Sequence, residues 1–294
     1  GDYDHAGGEL LDELLPSVLE AGLYHPDGQI LDEVYVWGSF TQSKMYHRDV
    51  RCGDCHDVHS LALRFEGNAL CLQCHRAATY DTKAHHFHEK IHEGKPSDGW
   101  LCVKCHMPEQ PYMVVDWRAD HSLRVPRPDL SLVLGTPDAC SQVGCHDDKP
   151  VSWSADATRK WYGEARQPHW GEILAAGRRG DPAASADLVE LAGDALSPAI
   201  VRATALSLLR SYPGAESTAA FNRALQDPDP LVRVTAVESA HAATAERYVE
   251  MMVPLLFDPV RAVRLQAGVA LAAAPDALLR PYQQEARTDA LAAD

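Results

Sequence analysis

The feature that most constrains this chain is the spacing of its cysteines. All eight lie between Cys52 and Cys145, in four pairs that each run directly into a histidine. The pairs are Cys52-Gly53-Asp54-Cys55-His56, Cys71-Leu72-Gln73-Cys74-His75, Cys102-Val103-Lys104-Cys105-His106 and Cys140-Ser141-Gln142-Val143-Gly144-Cys145-His146. The first three have the CxxCH spacing of haem c attachment, in which two thiols add across the porphyrin vinyl groups and the next residue turns its imidazole onto the iron. The fourth is a longer CxxxxCH variant with the same Cys-His end. An aromatic content of only 7% agrees with an interior filled partly by porphyrin.

Two other chemistries use paired cysteines. Zinc sites take sets of four cysteines, or two cysteines with two histidines, but they do not need His directly after the second Cys. With 15 histidines in 294 residues, four such placements by chance run below about one in 100,000 under these spacing rules. Disulfides would use all eight thiols and leave the four histidines unexplained. The reading adopted is four covalently bound haems c. Cys52, Cys55, Cys71, Cys74, Cys102, Cys105, Cys140 and Cys145 carry the thioethers, and His56, His75, His106 and His146 are the proximal iron ligands.

Each iron has a second axial position, and the same half of the chain holds nine further histidines: His5, His25, His47, His59, His85, His86, His88, His92 and His121. That surplus predicts bis-His ligation of most or all irons, which gives low-spin, low-potential carriers. The candidate distal ligands are His25, His47, His59, His85, His88 and His121. His59, three residues after His56, does not easily reach back to its own iron and is placed to serve a neighbour. The His85-His86-Phe87-His88 cluster offers one or two ligands, and His121 lies between the third and fourth motifs. His25 and His47 compete for the remaining place, while His5 and His92 read as bystanders. Met45, Met107 and Met113 read as packing residues.

The chain changes character near residue 150. Thirteen of the fifteen histidines precede it, and only His169 and His241 follow. The first half has short apolar runs among Gly, Pro and Asp, which predicts short helices and many loops. From about Val151 the chain is rich in Ala and Leu at helical spacing. There Val201-Arg202, Val232-Arg233 and Val263-Arg264 recur every 31 residues, followed at the same period by Ala205, Ala236 and Ala267. Asp227-Pro228 and Asp258-Pro259 precede the second and third copies. This pattern marks stacked helical hairpins. Over roughly residues 184–280 it resembles HEAT repeats, whose Asp-Pro…Val-Arg…Ala signature these residues match. Arg202, Arg233 and Arg264 are expected to bond across the turn to the preceding Asp, and His241 reads as an ordinary helix residue. The fold class expected is therefore mainly α. A loop-rich tetrahaem cytochrome c domain with short helices spans 1–153, linking helices span 154–183, and an α-helical HEAT-like solenoid spans 184–294.

With the motifs in hand, residues 20–165 resemble bacterial multihaem c-type cytochromes with doubled CxxCH motifs, often fused to tetratricopeptide or HEAT arrays. The likeness is carried by Leu23-Tyr24-His25-Pro26-Asp27-Gly28-Gln29, by the Gly38–Met45 stretch, by His85-His86-Phe87-His88, by Cys105-His106-Met107-Pro108 and by the Asp120–Leu130 stretch. Members often carry further haem motifs upstream, and none is present here. The motifs also look like those of extracellular cytochrome filament subunits. That likeness implies a haem chain running from one protomer to the next, with a His of one subunit completing a haem of its neighbour.

The expected function is electron transfer through four closely packed haems, as an extracellular filament protomer whose partners are copies of itself or redox proteins. A periplasmic multihaem carrier is an alternative. So is a multihaem reductase of nitrogen or sulfur oxyanions with one open haem, although the abundance of imidazoles and the four terminal histidines weigh against it. A formal charge of −15 and a pI near 5.4 argue against a nucleic-acid partner, because phosphate binding needs clustered Lys and Arg. No apolar run approaches the roughly 18 residues of a membrane span. The chain opens at Gly1 rather than Met, and haem attachment takes place outside the cytoplasm. An exported, processed protein, extracellular or periplasmic, is expected.

Overall fold

Backbone rich in Gly, Pro and Asp seldom sustains a helix beyond a turn or two, whereas Ala and Leu at helical spacing do. The two halves of the chain differ accordingly. The structure, a computed structural model, describes residues 9–112, 115–164 and 166–292, so His5 and Met113 lie outside the described residues. It is mainly helical. The described residues form two compact units, 21–172 and 9–20 with 173–292.

The 21–172 unit has short helices: α1 (Val36–Phe40), α2 (Cys52–Cys55), α3 (Ala77–Tyr80), α4 (Lys83–His86), α5 (Cys102–His106) and α6 (Pro128–Leu134). Two hairpins interrupt them, β1 (Ile91–His92) with β2 (Lys95–Pro96) and β3 (Glu109–Tyr112) with β4 (Asp116–Ala119). Both are antiparallel, and the second pairs Glu109 with Ala119 and Tyr112 with Asp116. The unit's longest helix is α7 (Val151–Tyr162), which packs on α6. The sequence predicts linking helices over 154–183. Helix α7, which spans the start of that stretch, groups with the 21–172 unit, and its Trp153, Trp161 and Tyr162 join that unit's cluster of rings.

The unit boundary falls within α8 (Trp170–Arg178). Helices α9 (Ala184–Gly193), α10 (Ala199–Leu209), α11 (Ala215–Ala224), α12 (Pro230–Ser239), α13 (Ala245–Met252), α14 (Arg261–Ala270) and α15 (Pro281–Ala292) follow. In one layer α10 packs on α12 and α12 on α14, and in the other α9 packs on α11. The repeating residues explain this layering. Val201, Val232 and Val263 and the recurring Ala205, Ala236 and Ala267 are all 0% exposed. A small residue one turn after a buried Val lets successive helices approach closely.

The repeating arginines also act together: Arg233 and Arg264 make the expected bond across the turn to the preceding Asp, through its carbonyl, and Arg202 and Arg233 reach the following Asp as well. Arg202 forks onto the carboxylate of Asp227, and Arg233 onto that of Asp258 with both bonds at 2.8 Å. The carboxylate each forks onto is that of the next repeat's Asp. The preceding Asp-Pro supplies backbone carbonyls only: Arg233 donates to Asp227 O and Pro228 O, and Arg264 to Asp258 O and Pro259 O. Each Asp carboxylate meanwhile caps its own turn, accepting from Asp229 N–H or Val260 N–H at 2.9 Å.

Residues 9–20 join this array rather than the cysteine-rich half. Leu19 is fully buried, its N–H donates to Thr204 Oγ1 at 2.9 Å and its carbonyl accepts from Arg178 at 2.6 Å. Asp12 accepts from the Arg261 N–H at 2.6 Å. No described helix is long and apolar enough to cross a membrane.

Candidate functional site

Each cysteine motif is a tight turn that brings its histidine back over its first cysteine. In the first motif, α2 is opened by Arg51, whose N–H donates to Asp54 Oδ2 at 2.7 Å, and the His56 N–H closes on Cys52 O at 2.9 Å. The second motif ends a 3-10 helix (Gly67–Gln73), with the His75 N–H on Cys71 O at 3.0 Å. The third is α5 itself. The fourth has no helix, and Gly144 takes φ +82° within its loop. Even so, the His146 N–H reaches Cys140 O at 3.1 Å. The extra residues of the CxxxxCH spacer are looped out and the Cys-to-His closure is restored. All eight cysteines are free thiols.

Three of the four motif histidines face a second imidazole. The His56 and His121 ring centres lie 6.3 Å apart, those of His106 and His85 6.2 Å, and those of His146 and His88 6.0 Å. With a metal–imidazole bond of about 2 Å and about 1.1 Å from nitrogen to ring centre, a metal held between two imidazoles would separate their ring centres by roughly 6.3 Å. The spacing therefore fits one metal between each pair.

Hydrogen bonding selects the ligating nitrogen. A carbonyl only accepts, so a ring nitrogen bonded to one must carry the proton, leaving the other nitrogen with a free lone pair. The Nδ1–H of His56 donates to Leu61 O at 2.9 Å, that of His106 to Arg124 O at 2.7 Å and that of His121 to Ala119 O at 2.9 Å. His88 Nδ1–H donates to His86 O. In the neutral tautomer this selects, Nε2 of all four carries the lone pair. Burial, then the neighbouring His106 and His86, push the His85 pKa down, and burial followed by His88 does the same to His146. Both shifts favour the neutral form that binds metal. His86 is different, because its Nδ1 already accepts from the His88 N–H at 3.2 Å.

The supporting residues come from distant stretches. Helix α4 ends at Phe87, whose φ of 58° is left-handed, and this turn sends His85 and His88 to different motifs. Phe87 stacks on Trp161 at 4.5 Å, Trp153 packs against His146 at 4.6 Å, and the Tyr162 hydroxyl donates to His85 O. Gly99 lies flat under His88, where an added Cβ would come within 2.4 Å of the ring. Arg124, whose carbonyl holds His106, is fixed by its guanidinium to buried Asp27 at 3.1 Å. Gln29 donates to the same carboxylate at 2.8 Å. The separated 23–29 and 120–130 stretches therefore converge behind one motif histidine.

Of the six candidate distal histidines, His85, His88 and His121 are brought opposite motif histidines. His25 sits in the turn closed by Tyr24 and Ile30, His47 lies edge-on to Tyr46 at 5.4 Å, and His59 is exposed on the loop built around Asp57. Neither His47 nor His59 faces a motif histidine among the described residues. His75 is exposed and meets Tyr80 edge-on at 5.4 Å. Among the described residues, no three or more His, Cys, Asp or Glu side chains form a cluster that could hold a metal ion. The imidazoles meet in pairs. Searches of protein-family models, curated proteins and solved structures return no match to this chain.

Proposed function

We propose that this protein transfers electrons through four haems c attached at its cysteine motifs. The observation that carries this reading is the opposition of His56 to His121, His106 to His85 and His146 to His88 at 6.0–6.3 Å, one member of each pair directly following a cysteine pair. A tetrahedral zinc site would gather ligands in fours, whereas paired imidazoles beside two thiols would hold a haem iron, with the thiols holding its porphyrin. When bound, such a group cycles between ferric and ferrous states, with a low potential set by two imidazoles.

The chain's own residues do the rest. The thiols hold the porphyrin edge, and backbone carbonyls orient the rings and keep Nε2 as the base. The exposed apolar side chains Val58, Leu61, Leu63, Phe65 and Val143 offer apolar surface beside the motifs for a porphyrin to cover. The helical array of residues 173–292 is a HEAT-like solenoid in this proposal and serves as a docking or spacing module. The proposal also includes export, and assembly with copies of itself into a filament. His47 and His59, exposed and facing no motif histidine among the described residues, are the imidazoles available for ligation between copies.

Intact-mass analysis and visible spectra test the core claim. Four added haems and a low-spin spectrum are expected, and a mass without porphyrin, or zinc in place of iron, ends it. Negative-stain micrographs of purified protein test the assembly, because filaments are visible without an assay. One observation favours a second reading, a reductase with an open haem: His75 faces no imidazole among the described residues. A high-spin ferric signal that shifts on adding nitrite would move the assignment there.

A further inference from the structure

Two neutral amides join consecutive motifs. Asn68 stands three residues ahead of Cys71 and is buried at 6% exposure. Its Oδ1 accepts the Cys102 N–H at 2.9 Å, and its Nδ2 donates to Trp100 O at 3.2 Å and Asp81 Oδ1 at 2.9 Å. The amide thus ties the turn of the second motif to the first cysteine of the third.

Gln142 repeats the device from within the spacer of the fourth motif. Its Nε2 donates to Lys104 O at 3.3 Å and to Ala139 O at 3.0 Å, while its Oε1 accepts the Glu109 N–H at 3.3 Å. Lys104 is itself a spacer residue of the third motif. The longer CxxxxCH spacer gains a purpose here, since it lets Gln142 leave the loop toward α5 while His146 still closes on Cys140. Both amides use donor and acceptor together, so each link is made without adding a charge beside a redox centre.

We propose that Asn68 and Gln142 are positioning residues that lock the second, third and fourth motifs into one row in chain order, and so set how the redox groups held there couple. The inference rests on the four-haem reading. Its test uses the full-length protein with haem attached. In Gln142→Met and Asn68→Leu the side-chain volume is nearly kept and the hydrogen bonds are lost. The readout is the set of resolved haem-methyl NMR resonances of the ferric protein, with haem number checked by intact mass.

Gln142→Met is expected to shift the resonances of the His106 and His146 haems and leave those of the His56 haem in place. Asn68→Leu is expected to shift those of the His75 and His106 haems. Gln142→Glu, which keeps the acceptor for the Glu109 N–H, is expected to recover part of the first pattern and also serves if the Met variant fails to load. Resonances unchanged in both apolar variants, or displaced evenly at all four haems, would overturn the proposal. A wild-type mass without porphyrin instead overturns the four-haem reading on which it rests.

Discussion

Replacing His121 with Ala removes the imidazole facing His56 while leaving the cysteine attachment untouched. One ferric haem is expected to pass from low to high spin by EPR, with four haems still present by mass. The four Cys–His motifs were legible in the sequence, because their two thiols and adjacent imidazole are neighbours in the chain. Which histidine lies opposite was only half legible. His121, His85 and His88 were among the candidates, but so were His47 and His59, and only the fold decides which rings meet. Asn68, Gln142 and Gly99 carried no signal at all, since their partners are distant in sequence. His169 was likewise unassigned. Burial, its largest influence, holds its pKa at about 4, with nearby Asp27 opposing the shift, and its Nδ1 accepts from the Gly171 N–H. An unfolded histidine titrates near pH 6.5, so between about 6.5 and 4 the unfolded chain binds a proton that the folded chain refuses. Stability complete above about pH 6.5 is therefore expected to fall as the pH drops through this window, by roughly 2–3 kcal/mol. Melting temperatures measured across that range check it, and His169→Gln should flatten the profile.

In the helical array, the unit of stability is the link from one helix pair to the next. Arg233 bridges Asp258 of the following repeat to the carbonyls of its own Asp-Pro turn. The Asp258 side chain is only 6% exposed, so removing its partner leaves a nearly buried carboxylate uncompensated. Arg233→Ala is expected to destabilise the 173–292 array by about 3–5 kcal/mol, seen as a lowered calorimetric transition, with the visible spectrum unchanged. The period of 31 residues and the buried Val and Ala positions were readable because they follow from helix geometry. The bond of Arg233 and Arg264 to the preceding Asp was readable too, but the fork of Arg202 and Arg233 onto the next repeat's carboxylate was not, because a repeat pattern shows which residues recur but not every neighbour each one faces. The membership of α7 was hidden for the same reason: its aromatic residues look like any amphipathic helix until the rings they stack on are known.

For the whole molecule, the formal charge of −15 sets the kinetics of encounter. Association with a basic redox protein is expected to slow as salt rises past about 0.1 M, where screening length falls to about 10 Å; stopped-flow rates against ionic strength measure it, and a flat dependence would exclude steering by charge. The N-terminal segment has a further consequence. Residues 9–20, with Leu11 and Leu19 buried among helices from the last third of the chain, emerge from the ribosome long before the surfaces that receive them. The 21–172 unit is continuous and is complete first, as leading domains are. During synthesis this leucine-bearing strip therefore stays uncovered, a natural handle for a chaperone, and the array cannot close around it until the helices that receive it have emerged.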